Sequence, residues 1–291
     1  MNTQLTFKQK LLGEKLAMAG LTWITFWICI ALAGPLLRLD KDPNTNTQHE
    51  AYSFSEPGTE AVLEDGTKFT YWLGSDKYGR DYMSRLMAGS SISLSVAGIS
   101  VLISLIIGLF MGAISGYFGG VLDAVISWFF QVVWTIPTLL MVIAITVAFG
   151  KGFWQVFVAI GLTMWVEVAR IVRGQFISMR ELEYVKAAKA LGVSDFRIMF
   201  KHMLPNAMGP IIVVAASNFA AAILIESGLS FLGVGAQIPA PSWGNIINEH
   251  YHLLTSDLAW LAILPGALIA SLVLAFTWLG DGLRVAFEVN K

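Results

Sequence analysis

The side chains that most resemble a reaction centre are Glu249, His250, His252 and Asp257, close together near the C-terminal end. Carboxylates and imidazoles can hold zinc. Here the spacing fits no standard zinc pattern, and one short loop supplies no outer groups to orient the ligands. These four are expected to be solvated loop residues. Gly228-Leu-Ser-Phe-Leu lacks the closing glycine of a Gly-x-Ser-x-Gly nucleophile elbow. No Gly-x-x-x-x-Gly-Lys-Ser/Thr stretch is present to cradle nucleotide phosphates. Cys29, the single cysteine, falls in an apolar run. It has no partner for an internal disulfide and reads as a small core residue. No catalytic residue, metal ligand or bound cofactor is expected, and the chemistry to look for is recognition.

The elements that would position any site are set by composition. Of 291 residues, 56% are hydrophobic and only 13% are charged, about half the charged fraction of soluble domains. The mean hydropathy is +0.66. A soluble globule and a disordered chain are both excluded, and a net charge of −1 draws no nucleic acid. Crossing a bilayer takes about 20 mostly apolar residues. Six stretches meet this: 16–37, 92–116, 123–148, 153–172, 207–227 and 258–280. The fold class is therefore an all-α integral membrane protein with six transmembrane helices in the lipid bilayer. The first stretch is longer than a signal-peptide core and reads as a span. In the fourth, Glu167 and Arg170 fall near the expected end. Ion-coupled transport would need intramembrane acids. Only Glu167 and Glu226 qualify, both near helix ends, and no inverted repeat of broken helices is visible.

Orientation follows the basic residues. The N-terminus, the 117–122 turn, residues 173–206 and the tail carry eleven Lys and Arg, against seven in the longer opposite set. Both termini are expected in the cytoplasm. The resulting organisation is a cytoplasmic N-terminus (1–15), a first span (16–37), an extracytoplasmic segment (38–91), a five-helix core (92–281) with a cytoplasmic loop (173–206), and a cytoplasmic tail (282–291). Ser100, Ser104, Gly108, Gly112 and Gly116 recur every four residues. They form one small-residue face for close helix packing. Pro137 and Pro265 fall inside the third and sixth spans, where each removes a backbone donor and can kink its helix.

The 173–206 loop is the most informative segment. Leu182, Val185, Ala188 and Leu191 recur at three-residue steps and form one apolar stripe. Gly192 suits the position just past a helix end. Ser194 and Asp195 suit the cap of a second short helix with Phe196, Met199, Phe200 and Met203 on its apolar side, limited by Pro205. Lys186, Lys189, Arg197 and Lys201 make a basic face. A compact two-helix unit with exposed apolar edges is expected to dock in a groove on a partner. On the opposite side, residues 228–257 contain Trp243, Tyr251, Pro239 and Pro241 but no Lys or Arg. They read as a folded cap at a pore mouth.

Glu183-Tyr-Val-Lys-Ala-Ala-Lys-Ala-Leu-Gly192, followed by His202-Met-Leu-Pro-Asn206, resembles the EAA loop of bacterial ABC-importer permeases. Ala187, Ala188, Gly192, Leu204 and Pro205 match, with Lys186 where a glutamate is usual and His202 where isoleucine is common. Leu73-Gly-Ser-Asp-Lys-Tyr-Gly-Arg-Asp-Tyr-Met-Ser-Arg85, Leu229-Ser-Phe-Leu-Gly-Val-Gly235 with Pro241-Ser-Trp-Gly244, and Gly280-Asp-Gly-Leu-Arg284 are similar to segments of the dipeptide/oligopeptide (DppC/OppC-like) branch. Residues 38–70 match nothing in it. The resemblance implies a type I importer fold with a cytoplasmic coupling helix. It further implies a sister permease, with a heterodimer expected, two ATPase subunits that bind ATP and Mg, and an external substrate-binding protein. It implies ATPase-coupling roles for Glu183, Ala187, Ala188, Gly192, Leu204 and Pro205, and a binding-protein surface on 228–257 and 38–91 that would include Trp243 and Tyr251. Peptides are the implied cargo, and permeases for nickel or oligosaccharides are similar.

Overall fold

The computed structural model describes residues 7–42, 45–62, 66, 68–150, 152–237 and 239–287. Residues 1–6 of the expected cytoplasmic N-terminus and 288–291 of the tail lie outside them. Besides two single 3₁₀ turns, Glu50–Tyr52 and Tyr251–Leu253, the described residues form ten helices: α1 (Phe7–Gly13), α2 (Lys15–Leu37), α3 (Tyr82–Phe118), α4 (Gly120–Thr135), α5 (Thr138–Phe149), α6 (Phe153–Arg180), α7 (Glu183–Ala190), α8 (Asp195–Phe231), α9 (Trp243–His250) and α10 (Trp260–Phe287). Five of them are long and apolar enough to cross a membrane singly, and α4 with α5 makes a sixth, bent crossing.

Several boundaries differ from the sequence reading, each for a physical reason. The second span begins at Tyr82 instead of 92, because Asp81 caps it by accepting from the Ser84 amide at 2.9 Å. The buried charges at its start also have partners, described below. The stretch 123–148 is not one helix. It breaks at Ile136-Pro137 with a 92° bend between α4 and α5, far sharper than a proline kink in a continuous helix. The fourth span continues past 172 to Arg180, which puts Glu167 and Arg170 mid-helix and not at an end. The fifth begins at Asp195 and ends at Phe231. The second short helix expected in the 173–206 loop is therefore the first turns of α8, and Pro205 does not limit it. A π-helical stretch, Ile198–Met203, precedes the proline, and its wider turn takes up the missing donor. The helices expected over 92–281 thus run from Tyr82 to Phe287.

The fold is helical as expected, with one addition. The unmatched insert holds an antiparallel hairpin, β1 (Thr59–Val62) with β2 (Lys68–Tyr71), in which Thr59 faces Tyr71. Tyr71 is buried beneath it, its hydroxyl donating to the Gly79 carbonyl at 3.0 Å. That burial, with Asp81 nearby, pushes the phenol up to about 12.

The centre of the bundle is the α3–α6 pair. The small-residue face meets α6 as expected: Ser100 donates to the Phe157 carbonyl at 3.1 Å. A methyl on Gly108 would lie 2.7 Å from the Trp165 carbonyl, and one on Gly112 would lie 2.8 Å from Val172 Cβ. Without a hydrophobic drive between helices in lipid, this closeness of backbones is what holds the pair. Gly112→Leu should force the helices apart, costing at least the roughly 1–3 kcal/mol of overpacking. The expected result is a several-fold lower membrane level with unchanged transcript. Wild-type accumulation would rule out this packing. Cys29, by contrast, is exposed on α2 and is not a core residue.

Candidate functional site

The 173–206 loop is a helix, a turn and the start of a second helix, tied firmly to the bundle. At the end of α7 the backbone forms a Schellman turn. The Gly192 amide donates to the Lys189 carbonyl at 3.0 Å, and Val193 to Ala188 at 3.1 Å. Gly192 has φ +74°, left-handed backbone that strains any residue with a Cβ. The N-terminus of α8 is fixed from the side: the Tyr117 hydroxyl donates to Asp195 at 2.6 Å. Below it a buried cluster joins Val185, Ile198, Met199 and Met203 to Phe176 on α6, with Ala188 and Leu204 packed against it.

This geometry divides the expected apolar stripe in two. Val185 and Ala188 face this chain's own bundle, so a bulky residue at Ala188 would disturb the loop's own seating. Leu191 is 84% exposed and Phe196 64% exposed. With Ala187 and Tyr184 these form the outward apolar surface, edged by the exposed Lys186, Lys189, Arg197 and Lys201. Glu183 is exposed in the first turn of α7, and Pro205 is exposed on α8. Phe196 packs on Phe200 at 4.6 Å between ring centroids, and Phe200 packs on Phe110 of α3 at 5.1 Å. An aromatic chain thus runs from the outward tip into the bundle. Three-residue periodicity could find the helix, but it could not tell which side faces home.

On the opposite side α9 is held in a cap. Trp243, expected as a partner contact, is fully buried. Its indole donates to the Leu86 carbonyl at 2.9 Å and meets Trp27 edge-on at 5.2 Å. It anchors the cap to α2 and α3 and offers nothing to a partner. Tyr251 is half exposed beside Phe231 and remains available.

The cap also overturns the solvated-loop expectation for Glu249 and His250. Arg80 bridges Asp76 and Glu249, each at 2.5 Å, and Arg85 reaches Glu249 at 3.0 Å and Asp76 at 3.6 Å. All four side chains are at most 9% exposed. Asp76, Glu249 and His250 bring potential metal-ligating atoms within 4.8 Å of one another. Both carboxylates, however, are already claimed by guanidiniums and the charges cancel, so the donor set suits ion pairing and not a cation. His250 is buried, with Nδ1 2.7 Å from the Ile246 carbonyl, and burial pushes its imidazole below the ordinary range. A lowered folded pKa means that stability is lost as pH falls below about 6.5, where the unfolded imidazole charges first. The cap of the wild type should therefore show lower amide-hydrogen protection factors, with the intrinsic exchange rate at each pH divided out, at pH 5.5 than at pH 7.5. His250→Gln should lose part of that dependence; an identical dependence would exclude the histidine.

Between α4 and α6 two cavities meet at Trp134. One of about 570 Å³ includes Gln131, Thr135 and Arg170, and one of about 220 Å³ lies at the α4–α5 break and includes Thr163 and Glu167. Nearer the 173–206 loop, Arg173 grips Asp123 through two bonds, at 2.6 and 2.7 Å.

Residues 104–288 match the family of binding-protein-dependent transport system inner membrane components. The dipeptide transport system permease protein DppC of Alkalihalophilus pseudofirmus is 38% identical over 97% of this chain and 88% of its own length. The oligopeptide transport system permease protein OppC of Bacillus subtilis is 34% identical, over 95% and 86%. The glutathione transport system permease protein GsiD of Pectobacterium atrosepticum is 37% identical, over 78% and 75%. Among solved structures, a chain of the inward-facing MetNI methionine ABC transporter superposes with a TM-score of 0.57 at 19% identity, over 71% of this chain and 98% of that one.

Proposed function

We propose, from the premise that this chain belongs to the family of binding-protein-dependent transport system inner membrane components, how it does its work as a permease subunit of an ABC importer. It is a multi-pass inner-membrane protein. Its cargo is short peptides, the class named for DppC and OppC relatives that align with nearly its whole length. It pairs with a sister permease, forming a heterodimer. An external binding protein delivers peptide to the cap side. Two ATPase subunits, which bind ATP and Mg, dock on the loop that contains Glu183, Ala187, Ala188, Gly192, Leu204 and Pro205.

The observation that carries the mechanism is the build of that loop. Its outward face, Leu191 and Phe196, is apolar and exposed, while its inward face is locked to α3, α6 and α8 by the buried cluster and the Tyr117–Asp195 bond. A push on the tip therefore moves helices instead of bending the loop, which is rigid-body switching of a two-state bundle. The chain has no phosphate-cradling loop of its own, so hydrolysis belongs to the partners.

Reconstitution of the four membrane subunits with the binding protein tests this. Proteoliposomes loaded with ATP on the ATPase side should accumulate labelled dipeptide only when all components are present. Accumulation of nickel or an oligosaccharide instead would reassign the cargo. Accumulation without the ATPases would overturn the mechanism.

Orientation follows from the basic residues, with both termini in the cytoplasm and the hairpin segment outside. Glu56 is exposed beside β1. In a Cys29→Ser background, Glu56→Cys should label fully with an impermeant maleimide in spheroplasts. Labelling only after lysis would invert the topology.

A further inference from the structure

We propose that the cleft between α4 and α6 is a way-station for the charged ends of a short peptide, with Glu167 receiving the terminal ammonium and Arg170 the terminal carboxylate. This deepens the peptide-permease reading above and rests on it.

Glu167 and Arg170 sit mid-helix on α6, three residues apart and so on one face. Both are exposed. A charge facing the hydrocarbon core is costly, about 2.5–3.5 kcal/mol at its centre on insertion scales, so this face is kept for water or protein. α6 is the innermost span, with 67% of its apolar window buried against 22–39% for the other single spans. Its open side is the one flanked by α4 and α5. The backbone break at Ile136-Pro137 points the same way, because non-helical backbone at membrane depth is tolerated only where it is buried in protein or lines a cavity.

Opposite charges at this spacing ordinarily pair, yet no ion pair joins Glu167 to Arg170 among the described residues. Arg170 instead lies over the Trp134 ring at 4.5 Å. Arg173, one turn along, is committed to Asp123. The cleft therefore presents one unpaired carboxylate and one aromatic-braced guanidinium, at the edges of two cavities that share Trp134. Their volumes, about 220 and 570 Å³, together fall in the range of small-molecule sites. The helix rise between the two positions is about 4.5 Å, and an extended dipeptide spans about 7 Å. To hold both ends at once the two side chains must diverge to make up the difference. Gln131, Thr135 and Thr163 supply neutral polar groups between and beside the charges. No residue there selects a particular side chain, which suits a passage for many peptides. Water-exposed charges give weak contacts, so cargo can enter and still leave, as conduction requires.

The test uses the assembled transporter in proteoliposomes, with alanylalanine as cargo and peptide transported per ATP hydrolysed as the readout. Glu167→Gln and Arg170→Gln should each lower that ratio at least tenfold. Binding-protein-stimulated ATP hydrolysis should stay within twofold of wild type. Wild-type ratios in both variants would overturn the site. So would loss of ATPase stimulation or of the sister permease, which would make the pair an inter-subunit tie. In parallel, a diazirine-bearing dipeptide photolysed in the wild-type transporter during turnover should label residues within 131–135 or 163–170. Labelling confined elsewhere would overturn the site even if a variant fails to assemble. A wild-type transporter that carries no peptide would refute the underlying reading instead, because that outcome needs no variant.

Discussion

Replacing Glu249 by alanine should collapse the cap. Its carboxylate is the acceptor for Arg80 at 2.5 Å and for Arg85 at 3.0 Å. Without it, Arg80 retains Asp76 and Asn46. Arg85 keeps only Asp76, at 3.6 Å, and its Nε and Nη1 already lack hydrogen-bond partners. A fully buried guanidinium would then be nearly uncompensated. Breaking a buried pair in this way costs about 3–5 kcal/mol, roughly a 100- to 5,000-fold shift toward opening of the cap at 1.4 kcal/mol per decade. Hydrogen exchange over residues 76–86 and 243–253 should report it, and uptake should fall with it. The charge count gives a sharper form. Asp76 and Glu249 balance Arg80 and Arg85, so Glu249→Gln leaves one excess positive charge and Arg85→Met in the same chain restores neutrality. The double variant should be more protected than Glu249→Gln alone. A single variant with wild-type protection, or a double variant worse than the single, would exclude this account.

Aspartate at both Leu191 and Phe196 should detach the ATPases while leaving the bundle intact. Both side chains point out of the fold, with 84% and 64% of their surface exposed. Exposed positions away from buried features usually change stability by no more than about 0.5 kcal/mol. In a docked groove each would be a central apolar anchor, worth about 2 kcal/mol or more and so roughly 30-fold in affinity. Adding a buried carboxylate without a partner raises the penalty further. Retention of ATPase subunits on the purified permease pair should fall more than 100-fold, with membrane level and sister-permease binding unchanged. A variant that still holds its ATPases would remove the outward face from the mechanism. Low expression of the variant would show instead that these side chains serve the fold.

Much of the architecture could be read before any coordinates. Long uncharged runs dictate spans because a helix in lipid must satisfy its backbone internally. The Gly108–Gly112–Gly116 spacing is a local periodicity, and the face that it predicts does meet α6. Gly192 was legible for the same reason: a glycine after an amphipathic stretch and before a capping pair is a local signal for a left-handed helix end, and its φ of +74° follows. The helix–turn–helix over 183–203 itself carried enough local pattern to be read.

What failed in the sequence reading failed at a distance. Trp243 is an anchor because Trp27 and Leu86 reach it from two other helices, and nothing within its own loop reports that. Glu249 looked solvated because its partners, Arg80 and Arg85, lie 169 and 164 positions away. The same pairing lets α3 begin at Tyr82 through residues whose charges appeared to end it. Pro137 announced a kink, but a 92° break depends on what flanks the break. The sequence by itself determined which stretches are helical, the turn at Gly192 and that the chain lives in a bilayer, because those are sums of local propensity and transfer energy. Only the tertiary structure decided which side of each helix faces home and which buried charges are matched, because both depend on groups that the chain brings together solely by folding.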